Sequence, residues 1–270
     1  SLERGIRLLE VSPYNEQGHR GILRYVQFAV APAVDNHTES DTLQMVLVSN
    51  CTPGSPEDNR MEQLARWLWS KRRHDLHSLW INYNRTPGNR ILGTQWQLCQ
   101  GRQELWVRFG PQGCAVCLGP GSFAQANYGA YSVLLQQLSQ QVPAGLAIAD
   151  LYSGVGSIGL HLARQNAPAR VRFVENNVEA MTAFRASVKR AREEQVLAPQ
   201  NEVQLDFIVG DLGDSTVSRK ALADVQVVVA DPPRRGLDRS LLEELCDADS
   251  KHPDLFRLYY VSCGFKAFER

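Results

Sequence analysis

Residues 150–159 read D-L-Y-S-G-V-G-S-I-G, and the second half of the chain is laid out around them. The apolar run Leu146 to Ala149 leads into Asp150, Leu151 and Tyr152. Gly154, Gly156 and Gly159 then give a G-x-G-x-x-G turn, and Leu160 to Ala163 continue at helical spacing. Strand, glycine turn and helix in that order open a nucleotide-binding α/β unit. A glycine, having no Cβ, takes φ > 0 and lets a ligand approach the main chain. The turn therefore implies a nucleotide-like ligand and leaves open which one.

Working outward, strands are expected at 146–152, 171–175, 203–209, 225–230 and 256–262. Helices are expected at 157–165, 177–195, about 217–223 and 239–247. Repeated strand–helix alternation with short connections implies a parallel sheet covered on both faces, a Rossmann-like α/β fold. Ahead of it, Tyr128 to Gln141 reads as a helix, with Gln125 and Asn127 just before it. Capping accounts for Asn127 and leaves Gln125 as a candidate ligand.

The first half is mixed. Arg24–Ala31 and Thr42–Ser49 read as strands, joined by a polar hairpin loop over 32–41. A helix after Pro53–Pro56 presents Met61, Leu64, Ala65, Leu68 and Trp69 on one face, and Leu79–Tyr83 returns as a strand. Short strands follow around Ile91–Leu92, Gln95–Cys99, Glu104–Phe109 and Cys114–Leu118. Arg60, Arg66, Lys71, Arg72 and Arg73 make the helix basic; a solvated face explains them, with RNA contact the alternative.

Composition sets the outer bounds. The 270 residues carry 29 basic and 29 acidic side chains, so the net charge is zero and no global nucleic-acid signature exists. Hydrophobic content of 43% supplies an ordinary core. No apolar run approaches the ~20 residues of a membrane span, so no membrane partner is expected. The 6 cysteines lack a disulfide rhythm, and the expectation is a reducing intracellular compartment. Cys114-x-x-Cys117 has no second ligand pair, so both read as structural strand cysteines, with no metal or iron–sulfur site. The chain lacks an initiator methionine and stops shortly after its last strand; it reads as a fragment whose C-terminal part is missing.

Open α/β sheets place ligands at the carboxyl ends of their strands. The first strand ends in Asp150 and Tyr152. The second ends in Glu175, about twenty residues beyond the turn, where a carboxylate accepts ribose hydroxyls. The third ends in Gly210-Asp211, placing an acid near an adenine amino group. The fourth ends in Asp231-Pro232-Pro233-Arg234-Arg235-Gly236, and the fifth in Ser262-Cys263. A dinucleotide enzyme accounts for the glycines and Glu175 and has no use for the D-P-P-R segment or the cysteine. S-adenosylmethionine, a nucleoside held by acids at three strand ends with no pyrophosphate, accounts for more.

F-x-Q-x-N at 123–127, D-L-Y-S-G-V-G-S at 150–157, D-P-P-R-R-G at 231–236 and S-C at 262–263 together resemble the uracil-C5 RNA methyltransferases, which form 5-methyluridine in transfer and ribosomal RNA. The resemblance implies an S-adenosylmethionine-dependent methyltransferase domain over 120–270 and an α+β subdomain over 1–119 on the RNA side. It implies cofactor contacts from Gln125, Tyr152, Gly154, Ser157, Glu175 and Asp231, with Asp211 an adenine partner. It places the nucleophile at Cys263 and the general base beyond residue 270. Arg234 and Arg235 are candidate substrate contacts, since either cation lowers a thiol pKa or neutralises a phosphate. The family's S-C-N-P is S-C-G-F here. That change raises the alternative of a methyltransferase-fold RNA-binding protein without catalysis. A base-amino methyltransferase is disfavoured by Asp-Pro-Pro-Arg where such enzymes carry Asn-Pro-Pro-aromatic.

Overall fold

A computed structural model describes residues 2–32, 42–88, 90–197 and 203–262. The chain divides into two compact units, Ser1–Val107 with Leu118–Ala124, and Arg108–Cys117 with Gln125–Arg270. Along the chain the divisions fall after Val107, Cys117 and Ala124.

In the first unit a short helix α1 (Leu2–Leu8) precedes strands β1 (Leu23–Ala31) and β2 (Thr42–Ser49). Helix α2 (Pro56–Arg72) then carries the chain to β3 (Leu76–Tyr83), and β4 (Gln95–Gly101) follows. The sheet runs β1-β2-β3-β4. β2 and β3 are parallel because α2 returns the chain to the same end, while the outer pairs are antiparallel. Period-two alternation sorts the two faces. Met45, Leu47, Leu79 and Ile81 pack with Met61, Leu64, Ala65 and Leu68 of α2, and Trp69 sits partly buried against that cluster. Val46, Val48 and Trp80 form a second, smaller cluster. The basic side chains of α2 are exposed, and Glu62 and Asp75 pair with Arg66 and Arg72.

Ile91–Leu92, expected as a strand, is not one. Asn84 Nδ2 donates to the carbonyls of Arg90 and Ile91, and Asn82 Nδ2 to those of Gly93 and Gln95. Side-chain amides thus take the place of a ladder, so the backbone is satisfied without pairing. The hairpin loop lies outside the described residues over 33–41, and the antiparallel β1–β2 register, ending at Ala31 opposite Thr42, suits it.

Strands β5 (Leu105–Arg108) and β6 (Ala115–Leu118) fall where the chain passes between units. In the second unit the order is α3 (Tyr128–Gln141), β7 (Ala147–Leu151), α4 (Ser157–Asn166), β8 (Arg170–Glu175), α5 (Val178–Glu193), β9 (Gln204–Val209), α6 (Ser215–Leu222), β10 (Val227–Ala230), α7 (Arg239–Cys246), α8 (Ala248–Lys251) and β11 (Arg257–Tyr260). All five strands are parallel, in the order β11-β10-β7-β8-β9. Purely parallel sheets need cover on both faces, and β7 and β10 are accordingly buried nearly throughout. One face packs Ala149, Leu151, Val174 and Val228 against Leu222 and Leu241. On Phe173, Phe184 and Phe207 the rings lie within 4.5 to 6.3 Å of one another.

This order fixes where a ligand goes. β8 follows β7 on one side and β10 lies on the other, so the strand order reverses beside β7. A crevice opens at such a point, outside the carboxyl ends of the strands. Ala230 pairs with Leu151, which places the glycine turn and the D-P-P-R segment on adjacent strand ends. Gly159 is required for packing: a Cβ there would come within 2.3 Å of Phe173 and 2.9 Å of the Asp150 carboxylate.

Candidate functional site

The turn after β7 is built from strained and permissive backbone. Tyr152, Gly154 and Gly156 all take positive φ, at 57°, 54° and 83°. Nothing lies within 4 Å of a Cβ built on Gly154, so the space above it is open, whereas one on Gly156 would meet the Phe184 ring at 2.8 Å. One glycine is thus exposed to a ligand and the other pressed onto the core.

Glu175, at the end of β8, holds the turn. Its Oε2 accepts the Gly154 N–H at 3.0 Å and its Oε1 accepts the Asn177 N–H at 2.9 Å. Each oxygen keeps further lone-pair capacity for a hydroxyl donor. Asp150, fully buried, accepts the Gly159 N–H through Oδ2 at 2.8 Å, and its Oδ1 has no partner. Burial pushes the Asp150 carboxyl up to about 7, opposed by the Gly159 N–H and reinforced by the negative charges of Asp231 and Glu175. Asp231, half-buried past the end of β10, is also raised by burial. Ser153 Oγ is buried and unpartnered.

The remaining expected residues separate into two groups. Gln125 is partly buried and free of a side-chain partner among the described residues, while Asn127 caps α3 by accepting the Ala130 N–H at 2.9 Å. Ser157, the first residue of α4, shares a 2.7 Å hydrogen bond with the Tyr131 hydroxyl. The Tyr152 hydroxyl is engaged by Asp238. Asp211 is exposed and closes its own turn by accepting the Gly213 N–H at 2.8 Å. Arg234 is exposed without a side-chain partner among the described residues, and Arg235 pairs with Asp238 at 2.8 Å. Cys263 lies outside the described residues; the strand leading to it, β11, pairs with β10, with Tyr260 opposite Ala230.

The donor set fits an adenosyl amino acid. An open glycine sits beside a carboxylate with spare acceptors, and an orphaned buried acid and a half-buried acid stand at neighbouring strand ends. Such a set suits ribose hydroxyls and an ammonium group.

Comparison with known proteins agrees. The model of the methyltransferase small domain matches residues 113–242. The Pyrococcus abyssi tRNA (uracil-54, C5)-methyltransferase, solved with S-adenosyl-L-homocysteine, superposes over 99% of this chain and 57% of its own, with a TM-score of 0.67 at 22% identity. This chain shares the fold of that enzyme. An RNA methyltransferase of Protochlamydia amoebophila, described as uncharacterized, is 29% identical over 97% of this chain and 62% of its own length. One from Synechocystis, likewise described, is 27% identical over 93% of this chain and 48% of its own. The resemblance to RNA methyltransferases read from the sequence stands, and the chain spans about half to three-fifths of the length of these relatives.

Several residues of the candidate site carry no sequence signal strong enough to find them. Tyr131 and Asp238 reach their partners across 26 and 86 residues. Asp150 was visible as a strand-end acid, and only burial shows its orphaned oxygen. Cys114 and Cys117 are buried, Cys114 donating its thiol to the Leu160 carbonyl. Among the described residues no cluster of three metal-ligating side chains occurs, and no helix is long and apolar enough to cross a membrane. A groove of about 560 Å³ lies elsewhere, between α5 and β9, lined by Arg185, Lys189, Arg192 and Phe207 among others. None of the site residues lines it.

Proposed function

We propose that the chain is the catalytic part of an S-adenosylmethionine-dependent RNA methyltransferase acting on C5 of uridine in transfer or ribosomal RNA. One observation carries the reading: the D-P-P-R-R-G segment and the glycine turn leave adjacent strands, so a half-buried Asp231 and two arginines border the cofactor crevice. The RNA methyltransferase relatives support the acceptor class.

In this reading Glu175 accepts ribose hydroxyls while holding Gly154, and Asp211 accepts the adenine amino group. Gln125, Tyr152, Ser157 and Asp231 line the methionine side. S-adenosylmethionine, when bound, supplies an electrophilic methyl group. Uracil C5 is a poor nucleophile, and C6 is open to conjugate addition. A Cys263 thiolate adding at C6 makes C5 nucleophilic, and loss of the C5 proton after methylation lets the thiolate depart. A free thiol of pKa ~8.5 is mostly protonated at neutral pH, so a nearby cation assists. In this reading Arg234, exposed and free among the described residues, supplies that cation or neutralises a phosphate. Pro232 and Pro233 fix φ in the segment, giving a stiff wall for a base.

Full-length protein incubated with S-adenosylmethionine and RNA containing 5-fluorouridine tests this. A C5 fluorine cannot leave as a proton, so the protein–RNA thioether persists in denaturant, and Cys263→Ala abolishes it. An adduct that survives Cys263→Ala removes the nucleophile assignment. RNA binding with no adduct and no methyl transfer favours the non-catalytic reading that S-C-G-F raises.

A further inference from the structure

Asp238 stands at the N-cap of α7, with φ −67° and ψ 146°, yet its side chain caps nothing. Aspartate is favoured at that position because its carboxylate accepts N–H groups of the first turn, so something else holds this one. Its Oδ2 accepts the Tyr152 hydroxyl at 3.0 Å, and its Oδ1 accepts Arg235 Nη2 at 2.8 Å. Its own backbone N–H donates to the Tyr152 oxygen at 2.9 Å. The carboxylate is 15% exposed and the guanidinium 67%, so the acid is the fixed member and the arginine the outward one. Tyr152 belongs to the glycine turn and holds an αL backbone that non-glycine residues seldom adopt. Arg235 belongs to the D-P-P-R-R-G segment. A single carboxylate therefore ties the cofactor side of the crevice to the arginine side.

We infer that Asp238 is a positioning residue: anchored by the Tyr152 hydroxyl, it aims the Arg235 guanidinium at the RNA backbone. The inference rests on the RNA reading above. Ordinary surface pairs of this kind contribute little, but here the acid is largely buried and doubly held. An arginine side chain fixed beforehand loses less rotamer freedom on meeting a phosphate. Removing the anchor lets Arg235 wander without removing its charge. The Tyr152 hydroxyl then matters for RNA although its residue sits on the cofactor turn.

The test measures affinity without turnover, using full-length protein, a fluorescein-labelled unmodified transfer RNA transcript, and calorimetry with S-adenosylhomocysteine. Asp238→Asn and Tyr152→Phe are each expected to weaken RNA binding about five- to tenfold, and Asp238→Asn to leave S-adenosylhomocysteine affinity within about twofold. Arg235→Ala is expected to weaken RNA binding at least as much, and Asp238→Asn to add nothing in the Arg235→Ala background, because the acid acts through that arginine. Additive losses in the double variant, or unchanged RNA affinity in both Asp238→Asn and Tyr152→Phe, overturn the inference. Should Asp238→Asn fold poorly, Tyr152→Phe with Arg235→Ala gives the same cycle. The modified nucleoside is identified separately by mass spectrometry. A product other than 5-methyluridine removes the uracil reading and leaves this cycle standing, whereas wild-type protein that binds no RNA removes both.

Discussion

Glu175→Gln replaces one carboxylate oxygen by an amino group without changing size. In the native turn both oxygens accept main-chain N–H groups, from Gly154 at 3.0 Å and Asn177 at 2.9 Å. Glutamine can serve only one of them and turns a donor toward the other. The Asn177 N–H is exposed and falls back on water, so the carbonyl oxygen stays with Gly154. The fold therefore loses about 1–2 kcal/mol, one hydrogen bond to a charged acceptor, a fall of roughly 2–8 °C in Tm for a chain of this size. The ligand loses more. In the proposed role, two ribose hydroxyls that would meet an anion meet a neutral amide with less spare acceptor capacity. Charge-assisted bonds are about twice as strong as neutral ones, so a loss of about 1.5–3 kcal/mol is expected, roughly 10- to 100-fold in Kd. Calorimetry with S-adenosylhomocysteine measures it, with Tm recorded on the same samples. A Kd within about twofold of wild type in a folded variant would refute the role given to Glu175.

Three further outcomes follow from the same geometry. The Asp150 carboxyl is raised from an ordinary 3.8 to about 7, so the folded state binds a proton that the unfolded state releases. The resulting stability is present below pH ~4 and lost as pH rises through ~7. Asp150→Asn removes this titration, so wild-type Tm should fall more steeply than the variant's between pH 5 and 8; parallel Tm profiles contradict the assignment. Gly159→Ala forces a Cβ to 2.3 Å from Phe173 and is expected to unfold the second unit or lower its stability by about 3 kcal/mol or more. Gly154→Ala, with open space around its Cβ, should cost only about 1–2 kcal/mol of αL strain while weakening cofactor binding; equal Tm losses at the two glycines, measured by circular dichroism, would count against the distinction.

Periodicity and strand ends made much of the second unit legible. β7, β8 and β9 fall within one or two residues of their expected limits because each is an apolar run closed by a turn signal, and α3 spans the expected Tyr128–Gln141. Local patterns fail where tertiary contact overrides them. No helix is expected ahead of Arg24, yet α1 forms, and the missing Cβ of its Gly5 admits the Trp67 ring, 2.7 Å from where that atom would stand. Ile91–Leu92 has strand composition, but Asn84, seven positions earlier, takes the Ile91 carbonyl and Asn82 takes that of Gly93. The acids and glycines of the candidate site were readable as strand-end residues because each follows an apolar run. What each side chain does when no ligand is present was not readable. Ser157 on Tyr131, Tyr152 on Asp238 and the orphaned oxygen of Asp150 all depend on which distant segments the sheet brings together.

The most direct measurement of the central claim is methyl transfer itself. Full-length protein is incubated with methyl-labelled S-adenosylmethionine and unmodified transfer and ribosomal RNA, and the RNA is digested to nucleosides. The account predicts label in 5-methyluridine, absent with Cys263→Ala and reduced with Glu175→Gln. Label in any other nucleoside, or none in RNA that the protein binds, contradicts it.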